Sequence, residues 1–399
     1  MLTLRLSGVA LSVLMLLACE PASRTAVPDA EPPSFQESLP FQDPPFDILV
    51  DDVDGNGRPD IALVSHGDNY AQVFFQKEHR VFAAGPRVPD VGFHPGDIIR
   101  WPSEQPFYLV AAEGVNQLLV LEPGPDGGFR EVSRLAEQTP RHVASFRWPE
   151  WGASLAVTPF RNNRLVLLRD VDPQSGRAAS RVPVALSSQP RSLRRAGRVT
   201  PVDIDGDGVD ELLFASSVMQ ELWMLRYPGA EESITPVLIH KFPAGAPDQV
   251  AAADLNGDGA QDLIVPNQST PFQINILMND GHGTFAAASP LSFPTTMGIR
   301  RVAVGRDQDG VNYLLAVGYG AVALYRFPAS WDGHAPVPMR SVPMARNEGS
   351  QALLLQDIDG DGLLDGILGR GMGDNGAWIV YGPLWEHFDE LADKQFVLH

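Results

Sequence analysis

The sequence has almost no cysteine and no surplus of positive charge. Cys19 is the only cysteine in 399 residues, so neither an intramolecular disulfide nor a cysteine-based metal cage is possible. Lysine and arginine total 30 against 49 acidic residues, which gives a formal net charge of −19. Nucleic-acid binding needs clustered basic side chains to neutralise phosphates, so the composition argues against a nucleic-acid partner.

The apolar run at the N-terminus is too short to remain in a membrane as a spanning helix. It covers Leu6–Ala18 after a weakly basic start, as in a secretory signal. The run ends in Leu-Leu-Ala-Cys, which resembles the lipobox of bacterial lipoproteins. We therefore predict a signal peptide over residues 1–18 and a lipid on Cys19. The alternative is an ordinary signal peptide followed by a chance cysteine.

Residues 19–45 are rich in proline, alanine, serine and glutamate, a composition that buries little apolar surface. We predict that they form a disordered tether between the lipid and a folded domain over residues 46–399. Glu20, rather than aspartate, follows the cysteine, which favours the outer membrane by analogy with known lipoproteins. The expected location is thus the bacterial cell envelope, anchored by lipid.

Glycine (37) and proline (35) are abundant, which favours many short strands joined by turns over long helices. Four segments share one acidic pattern between two apolar stretches: DVDGNGRPD from Asp52, DIDGDGVDE from Asp203, DLNGDGAQD from Asp254 and DIDGDGLLD from Asp357. Each predicts a strand, a tight acidic loop and a second strand.

The intervals between these motifs give the number of repeats. Asp203 and Asp254 are 51 residues apart, Asp254 and Asp357 are 103 apart, and Asp52 and Asp203 are 151 apart. These are close to one, two and three units, so three units have lost the motif. One degenerate copy, GRDQDGVNY, starts at Gly305, and two fainter units contain YLVAA and SLAVT.

A unit of about 50 residues with four short strands cannot bury both faces of its sheet alone, so neighbouring units must stack, and ring closure protects the edges. The sequence therefore predicts an all-β, seven-bladed β-propeller of four-stranded blades. With the strands of a blade lettered A to D, the acidic loops are expected in the A–B hairpins. An open β-solenoid is the rival, although its repeats are usually shorter.

The four intact motifs and the turn NDGHGTF resemble the FG-GAP or VCBS repeat family, whose blades are similar to those of integrin α-subunit propellers. The resemblance extends over about residues 46–399. It is specific at the four motifs and weak in the second and third units, where only the spacing and the strand pattern support it.

The acidic loops present the hard oxygen ligands that calcium prefers, at alternate positions one, three and five and again at position nine. We predict about four structural Ca²⁺ sites. An EF-hand is excluded because position twelve is apolar in every copy, and acidic turns that only cap their own backbone remain the alternative. The predicted ligands are Asp52, Asp54, Asn56, Asp60, Asp203, Asp205, Asp207, Glu211, Asp254, Asn256, Asp258, Asp262, Asp357, Asp359, Asp361 and Asp365.

The face opposite the acidic loops is the expected ligand face, because B–C loops and inter-blade connections meet there. Aromatic, amide and arginine side chains in these loops suit protein or polysaccharide recognition. The candidates are His66, Asn69, Tyr70, Phe160, Arg161, Gln268, Phe272, Tyr319 and Arg370. A set of basic residues before the A strands is expected to ring the channel mouth: His94, Arg141, His142, Arg198, Arg300 and Arg301.

Two functions fit this sequence. The first is a non-enzymatic recognition or scaffold module, held in the envelope by its lipid and stiffened by calcium. The second is a propeller enzyme, such as a lyase or hydrolase of glycans, with its site in the central channel. No histidine spacing typical of a metal site or catalytic triad favours the enzyme.

Overall fold

The computed structural model describes residues 35–42, 44–103, 105–125, 127–160, 164–185, 196–229, 233–295, 298–344, 352–369 and 376–393. The predicted signal peptide, Cys19 and most of the predicted tether lie outside these residues. Among the described helices, none has the length and apolar character needed to cross a membrane.

Seven antiparallel sheets make up the described part of the chain, which confirms the prediction of an all-β, seven-bladed propeller. In the first six sheets, the strands of the main path follow each other along the chain, so each of these blades is a meander. Blades one to three comprise β2 (Pro45–Asp51), β3 (Asp60–Ser65), β4 (Tyr70–Glu78), β5 (Val81–Pro89); β6 (Pro95–Arg100), β7 (Tyr108–Ala112), β8 (Gln117–Pro123), β9 (Phe129–Ala136); and β10 (Pro140–Phe146), β11 (Ser154–Pro159), β12 (Arg164–Asp172), β13 (Arg177–Ala185).

The remaining blades continue the same meander, and blade five carries a fifth short strand that pairs with its third. Blades four to six comprise β14 (Ala196–Val202), β15 (Glu211–Ser216), β16 (Glu221–Leu225), β17 (Val237–Lys241); β18 (Ala251–Ala253), β19 (Asp262–Pro266), β20 (Gln273–Asn279), β21 (Phe285–Ala287), β22 (Leu291–Ser292); and β23 (Ile299–Arg306), β24 (Asn312–Gly318), β25 (Ala321–Arg326), β26 (Met339–Pro343).

Blade seven joins the two ends of the described chain. Its first three strands are β27 (Leu353–Gln356), β28 (Asp365–Gly369) and β29 (Ala377–Val380), and its fourth is β1 (Gln36–Leu39). β1 pairs with β29 in antiparallel register. A strand from the N-terminal side thus completes the last blade and closes the ring.

This closure moves the domain boundary. The sequence placed residues 36–39 in the disordered tether and began the domain at Phe46, whereas the propeller already includes Phe35, Leu39 and Phe41, all of which are buried. The proline content of this segment indicates an extended chain, and an extended chain can also form the outer strand of a blade. Composition therefore did not distinguish a tether from β1.

The core lies between blades. The second strand of each blade is buried almost throughout, because the blade packs against a neighbour on both faces. One hydrophobic cluster joins Val64 and Val73 of blade one to Tyr108 and Val110 of blade two, and the other clusters follow the same pattern. No blade buries its apolar faces alone, in agreement with the stacking argument.

One α-helix, α1 (Leu384–Asp393), follows blade seven. Leu384, Phe388 and Leu391 recur at helical spacing on its buried side, and the helix packs against β26 of blade six. Arg340 forms an ion pair with Asp389 and stacks over Trp385 at 4.4 Å. Composition did not predict this helix, because a single amphipathic segment contributes little to a chain-wide average.

Candidate functional site: acidic hairpins and a pocket on the opposite face

All four acidic motifs lie in A–B hairpins, as the sequence predicts. They connect β2 to β3, β14 to β15, β18 to β19 and β27 to β28. Because successive strands alternate in direction, A–B hairpins emerge on one face of the ring. The B–C loops and inter-blade connections emerge on the other.

The first acid of each motif organises the turn. In blade one, the side chain of Asp52 accepts hydrogen bonds from the backbone N–H groups of Asn56 and Gly57, both at 2.9 Å. Gly57 has φ of 83°, in the left-handed region that favours glycine. Asp203 of blade four accepts from Gly206 and Gly208 at 2.8 and 2.9 Å in the same way.

The ninth position has a second role that the spacing alone did not indicate. Asp60 accepts from the N–H of Val53 in its own hairpin and from the N–H of Gln76 at the end of β4, both at 2.9 Å. Asp365 likewise bridges Ile358 and Gly382, at 2.8 and 2.7 Å. The ninth acid therefore fastens the hairpin to the third strand of its blade.

These bridging carboxyls are deeply buried. Asp60, Asp262 and Asp365 have no solvent-exposed surface. Burial raises the pKa of Asp60 and of Asp262 to about 6 and that of Asp365 to about 7, although backbone N–H donors act in the opposite direction. Burial also raises the pKa of Glu211. A cation beside these carboxyls would favour their charged form.

Three hairpins bring acidic oxygens close enough to hold a metal ion. In each, three carboxylate oxygens lie within 4.8 Å of one another. The groups are Asp52, Asp54 and Asp60; Asp203, Asp205 and Glu211; and Asp357, Asp359 and Asp361. Asp207 and Asp365 belong to the same hairpins but not to these groups of three.

The hairpin of blade five has the same backbone pattern and a different side-chain arrangement. Asp254 accepts from Gly257 and Gly259, at 2.7 and 3.1 Å. However, Asn256 donates from Nδ2 to Asp258 at 2.7 Å, and the described acids of this hairpin, including Asp262, do not form a close group of three. The fit to a cation is therefore weaker here than in the other three hairpins.

Basic side chains lie beside the acidic hairpins. Lys77 Nζ is 2.9 Å from Asp54, and Arg80 reaches from blade one to Asp361 of blade seven at 3.2 Å. Weaker pairs join Arg226 to Asp205 and Arg306 to Asp254, at 3.9 and 3.5 Å. The protein itself therefore offsets part of the repulsion between the carboxylates. The sequence did not reveal these cations because they come from other strands or neighbouring blades.

The residues predicted for the ligand face do not form one site. Tyr70 is buried and accepts a hydrogen bond from Gln42 N–H, and Gln268 donates to Asp248 at 2.8 Å. Tyr319 is half-buried and hydrogen-bonds to Arg300, while Phe272 lies half-buried in a loop of blade five. Arg161 and Arg370 lie outside the described residues. His66 and Phe160 line a common pocket, and Asn69 supports it.

This pocket, of about 460 Å³, lies on the face opposite the acidic hairpins and is built by blades one, two and three. Blade one supplies His66, and the connection to blade two supplies Phe93 and His94. The rest comes from the β7–β8 loop, from the start of blade three and from the β11–β12 loop: Glu113, Asn116, Thr139, Arg141 and Phe160.

An exposed aromatic ring forms one side of the pocket. Phe93 is 56% exposed, yet its backbone carbonyl accepts a hydrogen bond from Gly114 N–H at 2.7 Å. A Cβ atom on Gly114 would lie 2.5 Å from the Phe93 ring, so glycine permits this close approach. Val115, 37% exposed, lies next to this segment. The ring is therefore exposed and held in place.

The charged groups of the pocket neutralise each other. Arg141 forms an ion pair with Glu113 at 3.3 Å, and its guanidinium lies over the rings of Phe160 and Phe46, at 4.5 and 5.2 Å. Stacking of this kind suits the planar guanidinium. Arg141 is therefore fixed by two rings and a carboxylate.

Three residues that line the pocket have positive φ, among them Asn116 at 58°, a value that asparagine tolerates. Thr139 has φ of 41°, which is rare for a β-branched residue, and His94 has φ of 54°. Their N–H groups are held by the side chains of Asn116 and Asn69, both at 2.9 Å. The hydroxyl oxygen of Thr139 is buried without a hydrogen-bond partner, which costs about 1–3 kcal/mol.

The expected ring of basic residues does not form, because acids alternate with the bases. His142 lies 3.0 Å from Asp97, and Arg198 lies 2.7 Å from both Asp97 and Asp47. Arg301 is buried in the same cluster, Arg300 stacks over Tyr319, and His94 and Arg141 line the pocket instead. We call Asp47, Asp97, His142, Arg198 and Arg301 the channel cluster.

The channel cluster shifts the ionisation of its members. Burial favours the neutral form of Asp97, but Arg198 and His142 outweigh it and lower the pKa of Asp97 to about 2. Burial raises the pKa of Asp47, and the neighbouring Asp97 carboxylate acts in the same direction, although Arg198 opposes both. Burial also lowers the pKa of His142. Mutual pairing is the main feature of this cluster.

Known proteins provide a further comparison. Residues 175–265 match the family model of FG-GAP-like repeats. The matched segment contains the acidic hairpins of blades four and five, and together with the seven blades it supports the FG-GAP family. No curated protein matches the sequence significantly. The family match therefore supports the resemblance of the acidic motifs to FG-GAP repeats.

Solved structures of similar architecture extend the FG-GAP comparison to the fold. BBS1N in complex with ARL6DN is 12% identical, with a TM-score of 0.58, over 88% of this chain and 97% of that one. An Agrocybe aegerita lectin, described as recognising non-reducing terminal N-acetylglucosamine, is 16% identical, with a TM-score of 0.51, over 75% of this chain and 80% of that one. At these identities, the likeness shows the fold alone.

Sequence reasoning missed Phe93 and Thr139. Phe93 lies in the segment Gly-Phe-His-Pro-Gly, where an aromatic residue between turn-forming residues is a signal that a search of inter-blade connections can find. Thr139 carries no such signal, because its strain and its unpartnered hydroxyl arise only from the fold.

Proposed function

We propose that this protein is a calcium-stabilised, lipid-anchored recognition module of the bacterial cell envelope. The pocket that three blades build on the face opposite the acidic hairpins is the observation that carries the proposal. A protein or a polysaccharide is the expected partner at that face. The FG-GAP-like repeat supports an interaction role, since a propeller presents rigid loops on a stable ring.

Calcium is proposed from the chemistry of the donors. Calcium prefers six to eight oxygen ligands in a flexible cage, and the hairpins of blades one, four and seven offer close groups of carboxylates around glycine turns. Zinc would require histidine or cysteine, and these groups contain neither. Bound calcium would supply positive charge that cross-links the hairpin. The ninth acids would remain charged. The hydrogen bonds that they accept from backbone N–H groups would keep the hairpin attached to its blade.

The proposed calcium role can be tested by calorimetry. Adding calcium to protein treated with EDTA should raise the melting temperature, and magnesium at equal concentration should have a smaller effect. Equal shifts with the two ions would count against calcium.

The lipid anchor is proposed from Cys19 and the preceding apolar run. A Cys19→Ser variant should appear in the soluble fraction of lysed cells, whereas the unchanged protein should sediment with membranes. Membrane retention of the variant would contradict the anchor.

Two structures of similar fold have binding partners of different kinds. One similar structure is a complex with another protein, and the other is a lectin that recognises a terminal sugar. A pull-down from envelope extracts beside a glycan array would show which kind of partner binds. Loss of binding in Phe93→Ala would place the contact at the pocket.

An enzyme acting on glycans in the central channel is the second candidate. The channel cluster contains a buried histidine beside a carboxylate, which is the observation that favours catalysis. Its groups are already paired with each other, which favours a structural role. Glycan cleavage that is lost in His142→Gln, with an unchanged melting temperature, would support the enzyme.

A further inference from the structure

We infer that the pocket between blades one, two and three binds an uncharged sugar residue, with Phe93 as the stacking platform. This inference rests on the proposed recognition function and specifies the ligand class. The pocket has a volume of about 460 Å³, which lies within the range of about 300–1,000 Å³ typical of small-molecule sites. A flat protein interface would instead bury about 800 Å² on each partner.

The aromatic component is an exposed ring that lies against Gly114 and against the ring of His94, with 4.1 Å between the two ring centroids. A sugar presents C–H groups on the face of its ring, and these pack against an aromatic face. Phe93 is 56% exposed, and the hydrogen bond from Gly114 holds its backbone. An ordered platform costs little conformational entropy when a ligand binds.

Among the described residues that line the pocket, three polar groups form no hydrogen bond within the protein. The hydroxyl of Thr139 has no partner, and among the described residues neither the imidazole of His94 nor the Nδ2 group of Asn116 forms a hydrogen bond. Sugar hydroxyls both donate and accept hydrogen bonds, so they complement an amide, an imidazole and a hydroxyl at once. The Thr139 hydroxyl is buried, so a change of its χ1 rotamer would be needed to bring it to a ligand.

An anionic ligand fits less well. Arg141 is the cation of the pocket that would attract a carboxylate, but it is paired with Glu113 at 3.3 Å and stacked on two rings. The formal charge of −19 adds long-range repulsion. Acidic sugars and phosphorylated ligands are therefore disfavoured relative to neutral ones.

The decisive experiment is a glycan array with the full-length protein in a sugar-free detergent. The array carries neutral hexose and N-acetylhexosamine glycans beside uronate and sialylated ones. We expect binding to neutral glycans and a loss of about tenfold or more in Phe93→Ala. Val218→Ala is the matched control, because Val218 is 52% exposed in the β15–β16 loop on the same face, away from the pocket.

Thr139→Val separates ligand binding from stability. The two side chains have the same shape, so the variant should lose roughly two- to tenfold in affinity for the bound glycan while the melting temperature stays equal or rises. A merely structural hydroxyl would leave the affinity unchanged, and that result would remove Thr139 from the site.

The remaining outcomes distinguish the two levels of the proposal. Two outcomes would overturn the neutral sugar as the ligand: binding confined to acidic glycans, or capture of an envelope protein without any glycan binding. If Phe93→Ala abolished that binding or capture, recognition at the pocket face would still stand. Neutral-glycan binding that is equal in Phe93→Ala and Val218→Ala would overturn the pocket as the sugar site. If no glycan and no envelope protein bound, both the inference and the proposed recognition function would fail.

Discussion

The A–B hairpins of this propeller are held in two different ways. In blades one, four, five and seven, an acid at the first position organises the turn. The buried ninth acid joins the hairpin to the third strand in blades one, five and seven, whereas Glu211 of blade four accepts from Ile204 N–H within its own hairpin. In blade three, aromatic rings take this place: Trp148 is 3% exposed and lies edge-on to Phe146 and Trp151, at 5.0 and 5.1 Å.

Blades two and six follow intermediate patterns. The hairpin of blade two buries Trp101 and Phe107, whose backbones are joined by a hydrogen bond of 2.7 Å. Blade six shortens the loop, and Asp307 accepts from the N–H groups of Asp309 and Val311 within a tight turn. The same junction of strands can therefore be stabilised by charge or by apolar burial.

The two kinds of hairpin also contact each other. Trp148 donates from its indole nitrogen to the carbonyl of Asp210 at 2.7 Å, and the N–H of Arg147 donates to the Asp210 side chain at 2.7 Å. Asp210 lies one position before the ninth acid of blade four. An aromatic hairpin thus supports the neighbouring acidic one, so the loss of a motif in one blade need not weaken the ring.

Among the changes that test the two kinds of hairpin, removal of calcium should lower the free energy of unfolding the most. At free calcium a hundredfold above the dissociation constant, each site adds about 2.7 kcal/mol, so three sites add about 8 kcal/mol to the free energy of unfolding. Urea unfolding with calcium and with EDTA measures the difference. A difference below 1 kcal/mol would mean that hydrogen bonds and basic neighbours stabilise the acidic hairpins without a metal.

Trp148→Ala should cost about 3–5 kcal/mol, because it removes a large buried ring and leaves the carbonyl of Asp210 without its donor. Urea unfolding in EDTA measures the loss. The calcium-dependent shift should persist in this variant. If that shift disappeared, the aromatic hairpin would be required for metal binding, and the two kinds of hairpin would not be independent.

Asp60→Ala should cost about 2–3 kcal/mol in EDTA, because the backbone N–H groups of Val53, Asp54 and Gln76 lose their acceptor. Asp309→Ala in blade six is the control, since this acid is exposed, and should change stability by less than about 0.5 kcal/mol. Equal costs would show that the ninth acid has no special structural role.

The smallest expected change in stability comes from lowering the pH, which protonates Asp97 of the channel cluster. The pKa of Asp97 is lowered to about 2, so its charged form stabilises the fold above the unfolded-state pKa, near 3.9. This contribution, about 2 kcal/mol, is lost as the pH falls from about 4 through about 2. Asp97→Asn should show a shallower decline over that window. An identical decline in both proteins would place the acid sensitivity elsewhere.

Much of the fold could be predicted because its signal is local. The nine-residue spacing of each acidic motif fixes a tight turn between two strands, and the intervals between motifs count the blades even where blades two and three keep little of the pattern. The placement of Asp52 and Asp60 in a hairpin between two strands follows from that spacing.

The candidate site was less accessible to sequence reasoning. His66 and Phe160 were predicted on the ligand face and line the pocket, but Tyr70 is buried and Gln268 is hydrogen-bonded to Asp248. Loop membership places a residue on a face without deciding whether its side chain points outward. Phe93 stands between turn-forming residues in the sequence, but its place in a pocket, like the strain at Thr139, depends on how three blades come together.

The sequence by itself determined the repeat length, the seven blades and the acidic hairpins, because each depends on residues close together in the chain. Tertiary structure decided the closure by β1, the cations beside the hairpins, the pairing of charges in the channel and the pocket. These features join residues from different strands or different blades, and their contacts depend on how the strands pair and how the blades stack around the ring.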